Sequence, residues 1–366
     1  MVGSAMRIAI RPRRNAPSRS VSGSFSRVRP GTSIRPSQGY RSNSTSTGSP
    51  PAQEPIIFSG IQPTGVPHLG NYLGALREWV RLQNEATAGT KLLFSIVDLH
   101  ALTVPQDAAS LRKWRREAFG TLLAVGLDPS RSTIFYQSES KLQLPEDTTL
   151  DDADARAQLR LGLFSYPVLQ AADILVHRAT HVPVGEDQRQ HLEFSRYTAN
   201  SFNHLYGPIF PTPEALISPA KRVMSLKEPT SKMSKSHADE KSRIILTDSP
   251  AVIHKKIKVA LTDSEPSITY DPAHRPGVSN LLEILSHFEG QSCEAIASEF
   301  DGATLRALKE HVARQIAHHL EEIRERYRSI MDEKTGYLDS VAQQGAAAAQ
   351  ANASVTMRQV RDAIGL

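Results

Sequence analysis

The run PIIFSGIQPTGVPHLGNYLG spans residues 55–74 and changes character twice. Ile56, Ile57 and Phe58 form a short apolar stretch that stops at Ser59-Gly60, as a buried strand does. A Gly/Pro-rich turn follows, from Ile61 to Asn71. From Tyr72 to Asn84 apolar residues recur at helical spacing (Leu73, Leu76, Trp79, Val80). Strand, glycine-rich turn and helix start is the arrangement that points backbone N–H groups and the positive end of a helix at phosphate. The run has neither the Walker spacing nor the GxGxxG spacing.

Two more strands continue the pattern. Residues 91–98 (KLLFSIVD) are apolar nearly throughout and end in Asp98-Leu99-His100. Residues 107–126 read as a helix, and residues 133–137 (TIFYQ) as a third strand. The order βαβαβ predicts an α/β fold with a doubly wound parallel sheet, Rossmann-like, binding ligands at the strands' C-terminal edge. Residues 167–176 predict a helix with a proline at its start, and His181–Val184 a short strand. A further helix is expected from Gly185 to about Leu205. From residue 250 onward the periodicity is helical, in segments 250–262, 278–288, 293–300, 304–329 and 334–364. We therefore expect a catalytic domain over 54–249 and an α-helical domain over 250–366.

Residues 1–53 are different material: nine Arg, twelve Ser and no Asp, Glu or Lys. That composition predicts a disordered mitochondrial transit peptide and the matrix as destination; a basic RNA-binding arm is the alternative. The chain as a whole carries +5, but without the nine leader arginines 34 Lys and Arg stand against 38 Asp and Glu, about −4. The basic balance thus belongs to the leader and is no argument for nucleic-acid binding by the rest. Cys293 is the one cysteine, which excludes a disulfide framework and a cysteine-based zinc site. No metal-ligand set is assigned. No apolar run reaches the length of a membrane span.

A second phosphate-friendly segment lies far downstream: Lys232-Met233-Ser234-Lys235-Ser236, with ordered flanks expected at 222–226 and 243–248. Two cations and several hydroxyl and amide donors in one turn suit a polyphosphate. With His68 as an imidazole N–H donor, Gly70 allowing close approach and Asn71 as a cap, the two segments together suggest nucleotide activation. Charge developing on a leaving pyrophosphate would fall to Lys232 and Lys235. Asp173 stands in an otherwise apolar helix and needs a partner if buried.

These segments resemble one family. Residues 58–65 (FSGIQPTG) with 68–75 (HLGNYLGA) are similar to the HIGH region of the tryptophanyl-tRNA synthetases, bacterial and mitochondrial branch. Residues 96–101 (IVDLHA), 166–175 (YPVLQAADIL) and 182–188 (VPVGEDQ) resemble its pocket segments, and 232–236 its KMSKS loop. The resemblance implies a class I ligase that joins L-tryptophan to ATP, with Mg²⁺ accompanying the ATP, and passes the tryptophanyl group to tRNA(Trp). It implies that Asp173 accepts the indole N–H and that Phe58, Val182 and Val184 wall the ring. Gln62, Tyr166 and Gln188 would contact the amino acid. His68, Gly70 and Asn71 with Lys232, Met233, Ser234 and Lys235 would hold ATP. Gln62, Gly185 and Asp187 would lie near the nucleotide. It also implies a homodimer and an anticodon-reading helical domain.

The chain departs from the family twice. Ser140 to Leu161 is short, acidic and poor in apolar residues, where the family carries a dimer-interface helix and a mobile loop with an ATP-reaching lysine. A catalytically impaired RNA-binding relative is the alternative this gap raises. His237 stands where the family usually has Asp.

Overall fold

Apolar residues on both sides of each strand require cover on both faces of the sheet, and the computed structural model shows that cover. It describes residues 54–103, 106–140, 165–185, 188–217, 222–235 and 237–366. The leader, almost all of the acidic segment, Asp187 and Ser236 lie outside the described residues.

Five parallel strands, β1 (Ile56–Ile61), β2 (Lys91–Ile96), β3 (Thr133–Tyr136), β4 (His181–Val184) and β5 (Glu214–Ile217), lie in the order β3-β2-β1-β4-β5. Ile57 faces Leu92 across β1 and β2, and Leu93 faces Thr133 across β2 and β3. Alternation sorts the core. Ile57, Leu92, Phe94, Ile96, Ile134 and Tyr136 look to one face, and Ile56, Phe58, Leu93 and Phe135 to the other. The first face is covered by residues 69–85 and by helix Ala108–Ala124, with Trp79 stacked on Phe94 at 4.8 Å. The second is covered by Ile174 from helical residues 165–176, by Leu192 from helix Arg189–Tyr206 and by Ala349.

Residues Gln53–Leu366 form one compact unit. The core of the first face runs without a break from the sheet into the C-terminal helices, through Ile253, Leu282, Val312 and Val341. The last helix, Tyr337–Ile364, returns to the sheet and lies against β3. A Cβ on Gly345 would stand 1.7 Å from the carbonyl oxygen of Ile134, so only glycine allows this approach.

The structure departs from the expectations in places. The sequence predicts no strand at β5, because Glu214–Ile217 is four residues long and begins on a charge, and the helix expected from Gly185 starts at Arg189. The expected helix 304–329 is two helices, Leu305–His319 and Glu321–Asp332, broken at Leu320. The break leaves the Ala317 carbonyl to accept from the buried Arg324 guanidinium at 2.8 Å. The helix after the glycine-rich turn begins at Leu69, not Tyr72, and carries a π-helical turn over Tyr72–Leu76, a distortion frequent at functional sites.

Candidate active site

The strand order reverses between β1 and β4, and the crevice outside the strands' C-terminal ends at such a point is where ligands bind in open sheets. A cavity of about 560 Å³ opens there. Its lining brings together residues that are far apart in the chain: Phe58 within β1, Gln62 in the turn, Tyr166 and Asp173 on one helix, Val182 and Val184 on β4, then Gly185 and Gln188. Gly74 also lines it, and a Cβ there would meet nothing within 4 Å, so that position leaves room for a ligand.

Asp173 is 4 % exposed, and Oδ2 is shared by His100 Nε2 at 3.1 Å and the Gln137 amide. A buried carboxylate needs such partners. Both come from the ends of the next strands, His100 after β2 and Gln137 after β3. A third unassigned residue orders the other wall. His191 Nε2 lies 3.0 Å from the Tyr166 hydroxyl, and His191 Nδ1 lies 2.9 Å from Gln188 Oε1. The sequence places His100 and Gln137 at strand ends, where ligands bind, without giving either a role. His191 is one helical turn after Gln188, and that spacing was its only signal.

The other half of the crevice is cationic. His68 caps the helix start: its Nδ1 accepts from the Asn71 N–H at 3.2 Å, while Asn71 Oδ1 accepts from the His68 N–H at 3.2 Å. This is a reciprocal capping box, with His68 rather than Asn71 as the cap. An Nδ1 that accepts leaves the proton of the neutral ring on Nε2. Burial, then Lys235, Lys232 and Arg243, lower the imidazole from 6.5 to about 3, so the ring is neutral at any working pH.

The downstream segment docks on this turn through backbone. Leu69 donates to the Ile244 carbonyl at 2.8 Å and Leu246 to Pro67 at 3.0 Å. Lys235 Nζ donates to the Gly65 carbonyl at 2.7 Å. Burial, partly offset by Glu117 and reinforced by Arg243, lowers the Lys235 ammonium to about 8. Lys232 is exposed, Ser234 and Lys235 are half-buried, and Met233 turns its side chain into the core. His237 Nδ1 accepts from the Asp239 N–H at 3.0 Å, and its Nε2 lies 3.3 Å from Glu228, so this residue pins the turn after the lysines. Asp187 lies outside the described residues.

The arrangement can do two things. The cavity offers one buried anionic acceptor beside an aromatic and aliphatic wall. The turn next to it offers a neutral imidazole and two lysine ammonium groups as N–H donors, which suits an anion.

A family model described as tRNA synthetases class I (W and Y) matches residues 51–150 and 146–321. The mitochondrial tryptophan–tRNA ligase of Saccharomyces cerevisiae is 40% identical over 344 residues, covering 84% of this chain and 90% of that protein. Among solved structures, the tryptophanyl-tRNA synthetase of Mycoplasma pneumoniae superposes with a TM-score of 0.71 at 30% identity, covering 85% of this chain and 98% of its own. That of Campylobacter jejuni, complexed with ADP and tryptophan, gives 0.67 at 30% identity, covering 85% of this chain and 100% of its own.

Proposed function

The chain belongs to the class I tRNA synthetases of the tryptophan and tyrosine type, and from that premise we propose that it is a tryptophan–tRNA ligase acting in mitochondrial protein synthesis. The observation that carries the choice of amino acid is Asp173, buried at the cavity wall with His100 and Gln137 fixing its Oδ2.

The reaction has two steps. The tryptophan carboxylate attacks the α-phosphorus of ATP; the new C–O–P bond forms as the bond to pyrophosphate breaks. A terminal ribose hydroxyl of tRNA(Trp) then attacks the activated carbonyl, and AMP leaves with the electron pair of the broken C–O bond. In this reading Asp173 accepts the indole N–H, Phe58, Val182 and Val184 wall the ring, and Gln62, Tyr166 and Gln188 position the amino acid. His68 Nε2–H, Lys232 and Lys235 stabilise the charge that grows on the phosphates. Gly70, Asn71, Met233 and Ser234 shape the same turn, and Gly185 and Asp187 border the nucleotide. Phenylalanine has no N–H to offer Asp173, and tyrosine presents its hydroxyl elsewhere, so neither makes the hydrogen bond that the indole makes.

Mg²⁺ enters with the nucleotide. Among the described residues no three His, Cys, Asp or Glu side chains gather into an ion cage. We place the boundary of an anticodon-reading helical domain at 249/250, the leader as a matrix-targeting segment, and a second copy of the chain as partner. The leader's composition and the yeast mitochondrial relative support the location.

Charging of tRNA(Trp) with labelled tryptophan by the purified chain tests this reading. Charging with tryptophan and none with tyrosine is expected. Retained tRNA binding without any tryptophan charging would favour the impaired, RNA-binding alternative.

A further inference from the structure

A second cavity, of about 700 Å³, lies at the opposite end of the sheet, where β1, β2 and β3 begin. Its far wall is the last helix, with Ala348, Ala351 and Val355 as the apolar part. Lys91, Arg131 and Arg178 line it, and Glu54 is the one carboxylate in the lining. None of the three cations has an ion pair among the described residues. Arg131 donates to the Gln83 carbonyl at 2.7 Å and lies 3.5 Å from Asn84, while Arg178 lies 3.4 Å from Gln359.

Two atoms of the lining are buried without a partner among the described residues: Arg178 Nε and Thr356 Oγ1. Thr356 is 1 % exposed, so its hydroxyl has given up water for nothing the chain supplies. Arg178 adds a second oddity. It closes helical residues 165–176 in a Schellman motif, with Arg178 N–H to Leu175 at 2.9 Å and Ala179 N–H to Ile174 at 3.1 Å. Its φ is +53°, the only positive value outside glycine among the described residues. Glycine is the usual residue there. An arginine in that strained conformation, with its Nε orphaned at a cationic cavity, points to function rather than to helix termination.

We propose that this cavity binds a small phosphate-bearing solute, with Arg178, Arg131 and Lys91 around the oxyanion and the Thr356 hydroxyl donating to it. The leader cannot supply the counter-charge, since residues 1–53 contain no Asp or Glu. The site also reaches the first cavity. Asn352 lines it and lies 3.4 Å from His177, whose ring stacks on Phe58 at 5.5 Å.

The test is thermal unfolding of the full chain with saturating tryptophan and a non-hydrolysable ATP analogue filling the front crevice. Inorganic phosphate is titrated in against chloride at constant ionic strength. Wild type should gain about 3 °C in Tm at about 20 mM phosphate. Arg178→Gly and Thr356→Val should lose that gain. Both are expected to fold, because glycine relieves the positive φ and valine keeps the shape while removing the orphaned hydroxyl. An equal gain in wild type and both variants would overturn the assignment, and so would the absence of any gain in wild type.

Discussion

The two halves of the front crevice are built on opposite principles. On the amino-acid side Asp173 is engaged by His100 and Gln137, and Tyr166 and Gln188 through His191. On the phosphate side like charges are crowded together. Burial, then Lys235, Lys232 and Arg243, depress His68; burial also depresses Lys235, with Glu117 opposing and Arg243 adding to the shift. The first half is complementary to its ligand before the ligand arrives, which favours selection. The second half is electrostatically incomplete, and its repulsion is relieved by an anion, most of all by one that gains charge in the transition state. In the proposed reading, selectivity and rate are thus properties of different residues.

The largest expected effect is on the selective half. Asp173→Ala should lower kcat/KM for tryptophan about 10³-fold in ATP–pyrophosphate exchange, because it leaves His100, Gln137 and the indole N–H unpaired. An effect confined to the KM for ATP would break the comparison. Next, Lys235→Ala should lower kcat about 10²-fold with little change in tryptophan KM.

The pH profile sharpens the same contrast. The Lys235 cation is fully present below about 8 and is lost as pH rises through that value. With Lys235 as the essential cation, kcat/KM for ATP should fall about tenfold per pH unit above it, and Lys235→Arg should remove the fall. Stability has the opposite sign. Between about 8 and 10.5 the unfolded chain holds more protons on this group than the folded one, so its contribution to stability rises with pH. The smallest effect is expected at His191→Phe. It should raise the KM for tryptophan about fivefold through loss of order at Tyr166 and Gln188, and leave kcat within twofold.

Much of this was legible in the sequence for a physical reason. β1, β2 and β3 are buried on both faces, so their apolar runs stand out, and the helix Ala108–Ala124 announces itself by periodicity. His68 and Asp173 were legible because a histidine in a glycine turn and an acid in an apolar helix are both out of place. What stayed hidden depends on contacts between distant segments. β5 shows itself only by pairing with β4, and His100 and Gln137 meet Asp173 only after two strand ends converge on the helix that carries it. The lowered Lys235 follows from burial that no local pattern encodes. Arg178 resembles any polar residue after a helix until its φ and its orphaned Nε are seen.

The most direct test of the division of labour is ATP–pyrophosphate exchange, measured over a range of tryptophan concentrations in wild type, Asp173→Ala and Lys235→Ala, with tyrosine as the competing amino acid. The account predicts exchange with tryptophan and none with tyrosine in wild type. It predicts a tryptophan KM raised by the first variant, and a kcat lowered at nearly constant tryptophan KM in the second. Unchanged adenylate formation in Lys235→Ala, or wild-type exchange with tyrosine as fast as with tryptophan, would contradict it.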